Sequence, residues 1–173
     1  YVLTYEGELI DATYYAISAG VTESSKDIWG GELPYLTQVA SPGDELAAGF
    51  LTTETFSSED LKKALSASFP SLSFPESPGD WFGKLTRSSS GSVTKAEVCG
   101  QELEGGELRS ALGLRSQNFT VSQKDGSFTF SVKGYGHGVG MSQTGAQYMA
   151  KQGSDFKAIL SWYYPGAKLA KIG

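Results

Sequence analysis

Hydrophobic and polar positions alternate through YVLTYEGELIDATYYAISAG, residues 1–20, in two runs rich in β-branched and aromatic residues that flank Glu6-Gly7. A period of two puts alternate side chains on one face of a strand, and a glycine in the break can take the positive φ of a tight turn. The stretch therefore predicts a β-hairpin. The alternation then dissolves into VTESSKDIWGGELPYLTQVASPGDE, a loop-like segment carrying Trp29 and Tyr35. A helix pattern opens at Ser57-Ser58-Glu59-Asp60, where a serine cap precedes acids that favour the positive end of the helix dipole, and continues through LKKALSASF. Pro70, Pro75 and Pro78 end it and bracket a connector. SVTKAEVCG predicts a strand with Cys99 as a small buried strand residue. LEGGELRSALG predicts a short helix with Leu103, Leu108 and Leu112 on its apolar side, and NFTVSQKDGSFTFSVKG a second hairpin turning at Lys124-Asp125-Gly126. A helix from Ser142 to Gln152 is closed by Gly153. Ser154-Asp155 caps another, which runs through FKAILSWYY and stops at Pro165-Gly166. The order of elements predicts an α+β fold, with strand hairpins forming a mixed or antiparallel sheet and several short helices packed beside it. It is not an alternating βαβ array.

Composition narrows the functional classes. The 173 residues suit a single domain over 1–173 with a core of useful size. A net charge of −5 without clustered Lys and Arg argues against nucleic acid as a partner. One cysteine excludes an internal disulfide framework and a cysteine-rich zinc cluster within this chain. No stretch approaches the ~18 apolar residues of a transmembrane segment.

The chemistry concentrates in KGYGHGVGMSQTGAQYMAKQG, residues 133–153, where glycine alternates from Gly134 to Gly140 around the sole histidine, His137. If this segment is extended, one face is bare backbone, which admits the close approach of an adjacent element or a ligand. The helix starting near Ser142 would add unpaired N–H groups at the end of the run, able to hold an oxyanion or a row of sugar hydroxyls. The pattern lacks the Gly-Lys-Ser/Thr of a P-loop and the spacing of a dinucleotide fingerprint, and no third partner completes a Ser-His-Asp set with Ser142. A tightly packed glycine turn with a hydrogen-bonded histidine fits the same residues.

GYGHGVGMSQTGAQYMAKQG followed by FKAILSWYYPGAKL resembles the C-terminal signature of the stage II sporulation protein D family, which also includes amidase enhancers. LEGGELRSALGLRSQNFTV and YYAISAGVTESSKDIWGGELPYLTQV resemble further blocks of that family, and the likeness is weakest between Thr52 and Ser92. The resemblance implies peptidoglycan as ligand, an extracytoplasmic, cell-wall-associated location, and lytic transglycosylase activity on glycan strands stripped of stem peptides. The alternative is a non-catalytic wall-binding or amidase-enhancing module, with other cell-wall hydrolases as partners. In the family the proposed catalytic glutamate precedes an alanine-rich helix, and a Cys- and His-containing stretch that binds zinc in some members follows it. Neither is present here, so no cofactor is expected, and the abrupt opening at Tyr1 suggests a fragment of a longer protein. Glu32, in the loop between Trp29 and Tyr35, is the carboxylate considered as a substitute acid, provided burial raises its pKa. Glu54, Glu23 and Asp27 read as solvated. Within the family reading, His137, Ser142 and Gln143, with Gly138 and Gly140, belong to a groove wall that orients sugar hydroxyls without transferring protons. Tyr35 and Trp29 lie near it, and Ser18 and Thr22 line it. Trp162, Tyr163 and Tyr164 read as core, while Arg109 and Arg115 either meet an anionic glycan or tie down local carbonyls.

Overall fold

The computed structural model describes residues 1–171. Along the chain, the hairpin β1 (Val2–Tyr5) and β2 (Glu8–Leu9) is followed by β3 (Tyr14–Tyr15) and the short helix α1 (Ser25–Trp29). β4 (Leu51–Ser57) runs directly into α2 (Ser58–Ser68). A meander of β5 (Phe82–Arg87), β6 (Val93–Val98) and β7 (Gln101–Glu104) leads into α3 (Gly105–Leu112), then the hairpin β8 (Phe119–Lys124) and β9 (Ser127–Lys133). After these come β10 (Met141–Ser142), α4 (Gln143–Lys151), α5 (Phe156–Tyr163) and β11 (Lys168–Ala170). The fold is α+β, as the patterning predicts. Among the described residues, no helix is long and apolar enough to cross a membrane.

Two compact units divide the chain. One is a continuous stretch, Leu51–Lys133, and the other combines Tyr1–Phe50 with the chain from Gly134 onward. In the continuous unit, β9 is the central strand of an antiparallel sheet ordered β4-β9-β8, and β5-β6-β7 form a second sheet. Phe128, Phe130 and Val132 alternate inward along β9 and meet Leu61 and Leu65 of α2, Leu108 and Leu112 of α3, and Val93, Ala96 and Val98 of β6. Trp81 stacks on Phe128 at 5.3 Å, with its indole N–H donating to the Pro75 carbonyl. Gly105 opens α3 because a Cβ there would lie 1.8 Å from the Val93 carbonyl oxygen. Arg109 donates to the Leu114 and Arg115 carbonyls, the local tie of its two readings.

The discontinuous unit has an antiparallel sheet ordered β11-β1-β2 and a parallel pair, β10 with β3. Its core is Tyr35, Leu36, Val139, Ile159, Tyr163 and Tyr164. Tyr163 and Tyr164 are core as expected. Trp162 is not. It is 45% exposed, and its indole N–H is anchored on the Ala40 carbonyl.

Three hairpin turns place positive φ at both central residues: Glu6-Gly7, Cys99-Gly100 and Asp125-Gly126. Such turns match the right-handed twist of the strands they join. Two of them lie where the patterning predicts. The third corrects the reading of Cys99, which sits in the β6–β7 turn, partly buried, and not inside a strand. α1, β4, β5, β7 and β11 were not anticipated, and Leu103, read as part of the helix, lies in β7. β4 reads LTTETFS, and its polar residues occupy both faces, so no apolar period marks it.

Candidate functional site

All four glycines from Gly134 to Gly140 have φ between +78° and +117°, so the run is a series of bends and not an extended strand. Each bend turns its Cα against residues 13–23. A Cβ on Gly134 would meet the Ile17 carbonyl oxygen at 2.7 Å, and one on Gly136 would meet the Tyr15 Cβ at 2.6 Å. On Gly138 it would meet the Glu23 Cγ at 2.9 Å, and on Gly140 the Thr13 carbonyl oxygen at 2.1 Å. The close approach that glycine allows is thus made by the neighbouring segment of the protein. The residues between the glycines alternate in fate: Val139 is fully buried, whereas Tyr135 is 46% exposed.

His137 is held by both ring nitrogens. Nδ1 accepts from the Val139 N–H at 3.1 Å, so Nε2 carries the proton and faces the Tyr14 carbonyl at 3.2 Å. With its nitrogens committed, the imidazole has neither a free lone pair for a metal nor a proton poised for transfer. What it offers is its ring. The Tyr15 ring packs 5.4 Å from it, and the Trp29 ring lies at 5.3 Å while remaining 47% exposed. Trp29 ends α1, where Gly30 takes a left-handed cap. Ser24 caps the other end of this helix.

Beneath this surface lies a carboxylate that the sequence did not single out. Asp44 has no exposed surface. Its Oδ1 accepts from the Ser142 hydroxyl at 2.6 Å and the Ser18 N–H at 3.1 Å, and its Oδ2 accepts from the Ser41 hydroxyl at 2.5 Å. Ser41 in turn shares a 2.7 Å hydrogen bond with the Tyr163 hydroxyl. Burial raises the Asp44 pKa above the ordinary carboxylate value, and the Ser142, Ser41 and Ser18 donors pull it back. Burial likewise pushes the Tyr163 phenol up to about 12. Gly145 is required at this junction, since a Cβ there would sit 2.1 Å from the Tyr163 hydroxyl.

The predicted site residues separate accordingly. Trp29 and His137 come together at the surface, and Gln143 is exposed at the start of α4. Gly138 and Gly140 pack closely against Glu23 and Thr13. Ser142 is fully buried, its hydroxyl donating to Asp44 and capping α4 by accepting from Gly145 N–H, so it presents nothing to a ligand. The α4 N-terminus is not an open anion site either, because Thr144 N–H donates to the Ala16 carbonyl. Ser18 is buried and accepts from Gly20 N–H. Thr22 is buried and clasps the opposite segment through the Thr37 carbonyl and Val39 N–H. Tyr35 packs inward against Tyr5, and its hydroxyl accepts from Asp11 N–H, so it belongs to the core and not to a groove. Glu32 is exposed and paired with Lys26 at 3.3 Å, which removes the burial that an acid catalyst would need. Glu23, read as solvated, is 3% exposed; its N–H donates to the Gly138 carbonyl and its side chain fills the space that the glycine leaves. Neither Asp44 nor Glu23 carries a sequence signal that distinguishes it from surface acids. Among the described residues, no group of three His, Cys, Asp or Glu side chains is placed to hold a metal ion.

No family model matches the chain. Over 171 residues it is 37% identical to stage II sporulation protein D of Bacillus amyloliquefaciens and 33% identical to stage II sporulation protein D of Bacillus subtilis (strain 168). Each match covers 98% of this chain and 48% of the relative. A match of 30% identity to the amidase enhancer of Bacillus subtilis (strain 168) covers 97% of this chain and 31% of that protein. The chain thus spans about half the length of the sporulation proteins it matches and about a third of the amidase enhancer. Identity at this level, sustained along nearly the whole chain, places it in the family of stage II sporulation protein D and the amidase enhancer.

Proposed function

We propose that this chain grips the glycan strands of peptidoglycan, as part of a sporulation-type, extracytoplasmic lytic transglycosylase that acts on strands free of stem peptides. The observation that carries the reading is the exposed Trp29 ring set against His137, whose nitrogens are both committed inside the protein. A half-exposed indole backed by the His137 ring suits the C–H face of a pyranose, and Gln143 would add a neutral donor and acceptor for hydroxyl or acetamido groups. In the proposed reaction a carboxylic acid protonates the glycosidic oxygen. The bond from C1 of muramic acid to that oxygen breaks, and the C6 hydroxyl of the same sugar adds to C1 and releases its proton. The substrate supplies the nucleophile, so one acid suffices. The part assigned to these residues is to bind and orient the strand. The sporulation proteins it matches are about twice as long as this chain.

The test is to incubate the chain with peptide-free glycan strands, measure binding by co-sedimentation, and read products by mass spectrometry. Binding that Trp29→Ala abolishes supports the reading, and anhydro-muramic ends would put a working acid within these residues. A folded chain that neither binds nor cleaves would overturn it. A second reading, an amidase-enhancing module, draws on the 30% identity to the amidase enhancer. Adding the chain to a cell-wall amidase and following release of stem peptides separates the two.

A further inference from the structure

His137 stands between two anchored ends. On one side Tyr135 bridges to Ile17, and on the other Met141 and Ser142 pair with Tyr14 and Tyr15. The ring then reaches across to the Tyr14 carbonyl. Its position therefore depends on the relation between residues 14–18 and residues 141–142. One side chain bonds to both. Asp44 Oδ1 receives the Ser18 N–H from the first segment and the Ser142 hydroxyl from the second, while Oδ2 is steadied by Ser41 and, through it, Tyr163. The carboxylate has no exposed surface, so these bonds are all that it makes use of. A buried carboxylate is costly to retain unless its bonds are needed, and an apolar residue of similar size would pack at less expense but could not join a backbone N–H to two hydroxyls.

We infer that Asp44 is a positioning residue of the candidate glycan site: it sets the separation of the two segments that hold the His137 ring beneath Trp29. The glycan part of this inference rests on the function proposed above; the positioning of His137 does not. Asparagine should substitute well. Its Oδ1 can accept from Ser142 and Ser18, and its Nδ2 can donate to Ser41, whose own proton then passes to the Tyr163 oxygen. Alanine leaves Ser18 N–H and two hydroxyls without their acceptor.

His137 is the sole histidine, so a long-range proton–nitrogen NMR spectrum of the 173-residue chain reports one imidazole. The wild type is expected to show a fixed Nε2–H tautomer. Asp44→Ala should show averaged tautomers and bind peptide-free glycan about tenfold more weakly, while Asp44→Asn keeps the fixed tautomer and stays within about threefold. Should Asp44→Ala fail to unfold cooperatively, Ser142→Ala cuts the second segment's bond to Asp44, along with the α4 cap, and should give the same averaged tautomers. A fixed tautomer in whichever of these variants folds would overturn the inference and leave Asp44 a stabilising residue alone. Averaged tautomers with unchanged glycan affinity would also overturn it. Averaged tautomers in a chain whose wild type binds no glycan would uphold the positioning of His137 and defeat the glycan reading instead.

Discussion

Gly140 and Gly153 both have left-handed φ values, +85° and +95°, but they differ in what surrounds them. At Gly140 an added Cβ runs into the Thr13 carbonyl, which also accepts from Met141 N–H and the Tyr164 hydroxyl, so the neighbour cannot give way. At Gly153 the space is open. Gly140→Ala should therefore cost about 3 kcal/mol or more, whereas Gly153→Ala should cost only the ~1–2 kcal/mol of the backbone conformation. Urea unfolding of both variants checks the contrast. Trp29 poses the opposite case. Because the ring is half-exposed, Trp29→Ala should lower stability by no more than about 1 kcal/mol while removing about 2 kcal/mol or more of glycan binding. Asp44 adds a pH dependence. Its folded pKa is raised, so the folded chain holds that proton more tightly than the unfolded chain, where the carboxyl titrates near pH 4. Its contribution is full below about pH 4 and is lost as pH rises through the folded value. The stability of the wild type relative to Asp44→Asn should therefore fall as pH is raised from 4 toward neutrality. A constant difference in denaturant midpoints across that range would contradict this.

At the scale of elements, two helix caps of the same kind should differ in consequence. Asp155 caps α5 by accepting from Ala158 N–H at an exposed position, and Asp155→Ala should cost about 1 kcal/mol. Ser142 caps α4 as well, but it is buried and also donates to Asp44, so its loss leaves a buried acceptor short of a donor. Ser142→Ala should cost about 2–3 kcal/mol, measured by the same unfolding experiment. The Asp155 cap was legible, because Ser, Thr, Asp and Asn before an apolar period are local signals, whereas Ser142 reads from the sequence as the first residue of its helix and not as its cap. The hairpin turns at Glu6-Gly7 and Asp125-Gly126 were legible for the same reason. α1 was missed because it is one short turn of SKDIW with no apolar period, and β11 because three residues, KLA, gain strand form only by pairing with β1.

For the whole molecule, the division into two units has a consequence for the continuous one. β4 and β9 pair over seven residues, from Ser57 opposite Ser127 to Leu51 opposite Lys133, so the first and last residues of this unit are ladder partners. It also has its own core of buried leucines, valines and phenylalanines. A fragment of residues 51–133 should therefore fold alone, with dispersed amide NMR signals and a cooperative thermal transition. Collapsed amide dispersion would refute that. The α+β class, the two hairpins and the capped helices were all determined by the sequence, because propensity, capping and turn chemistry act over a few neighbouring residues. Which face of the glycine–histidine run looks outward, the sealing of Ser18, Thr22 and Ser142, the inward turn of Tyr35, and the meeting of Ser18, Ser41, Ser142 and Tyr163 around Asp44 were decided only by the tertiary structure. Those contacts join residues as much as 122 positions apart, and burial and shared hydrogen bonds exist only once the chain has brought them together.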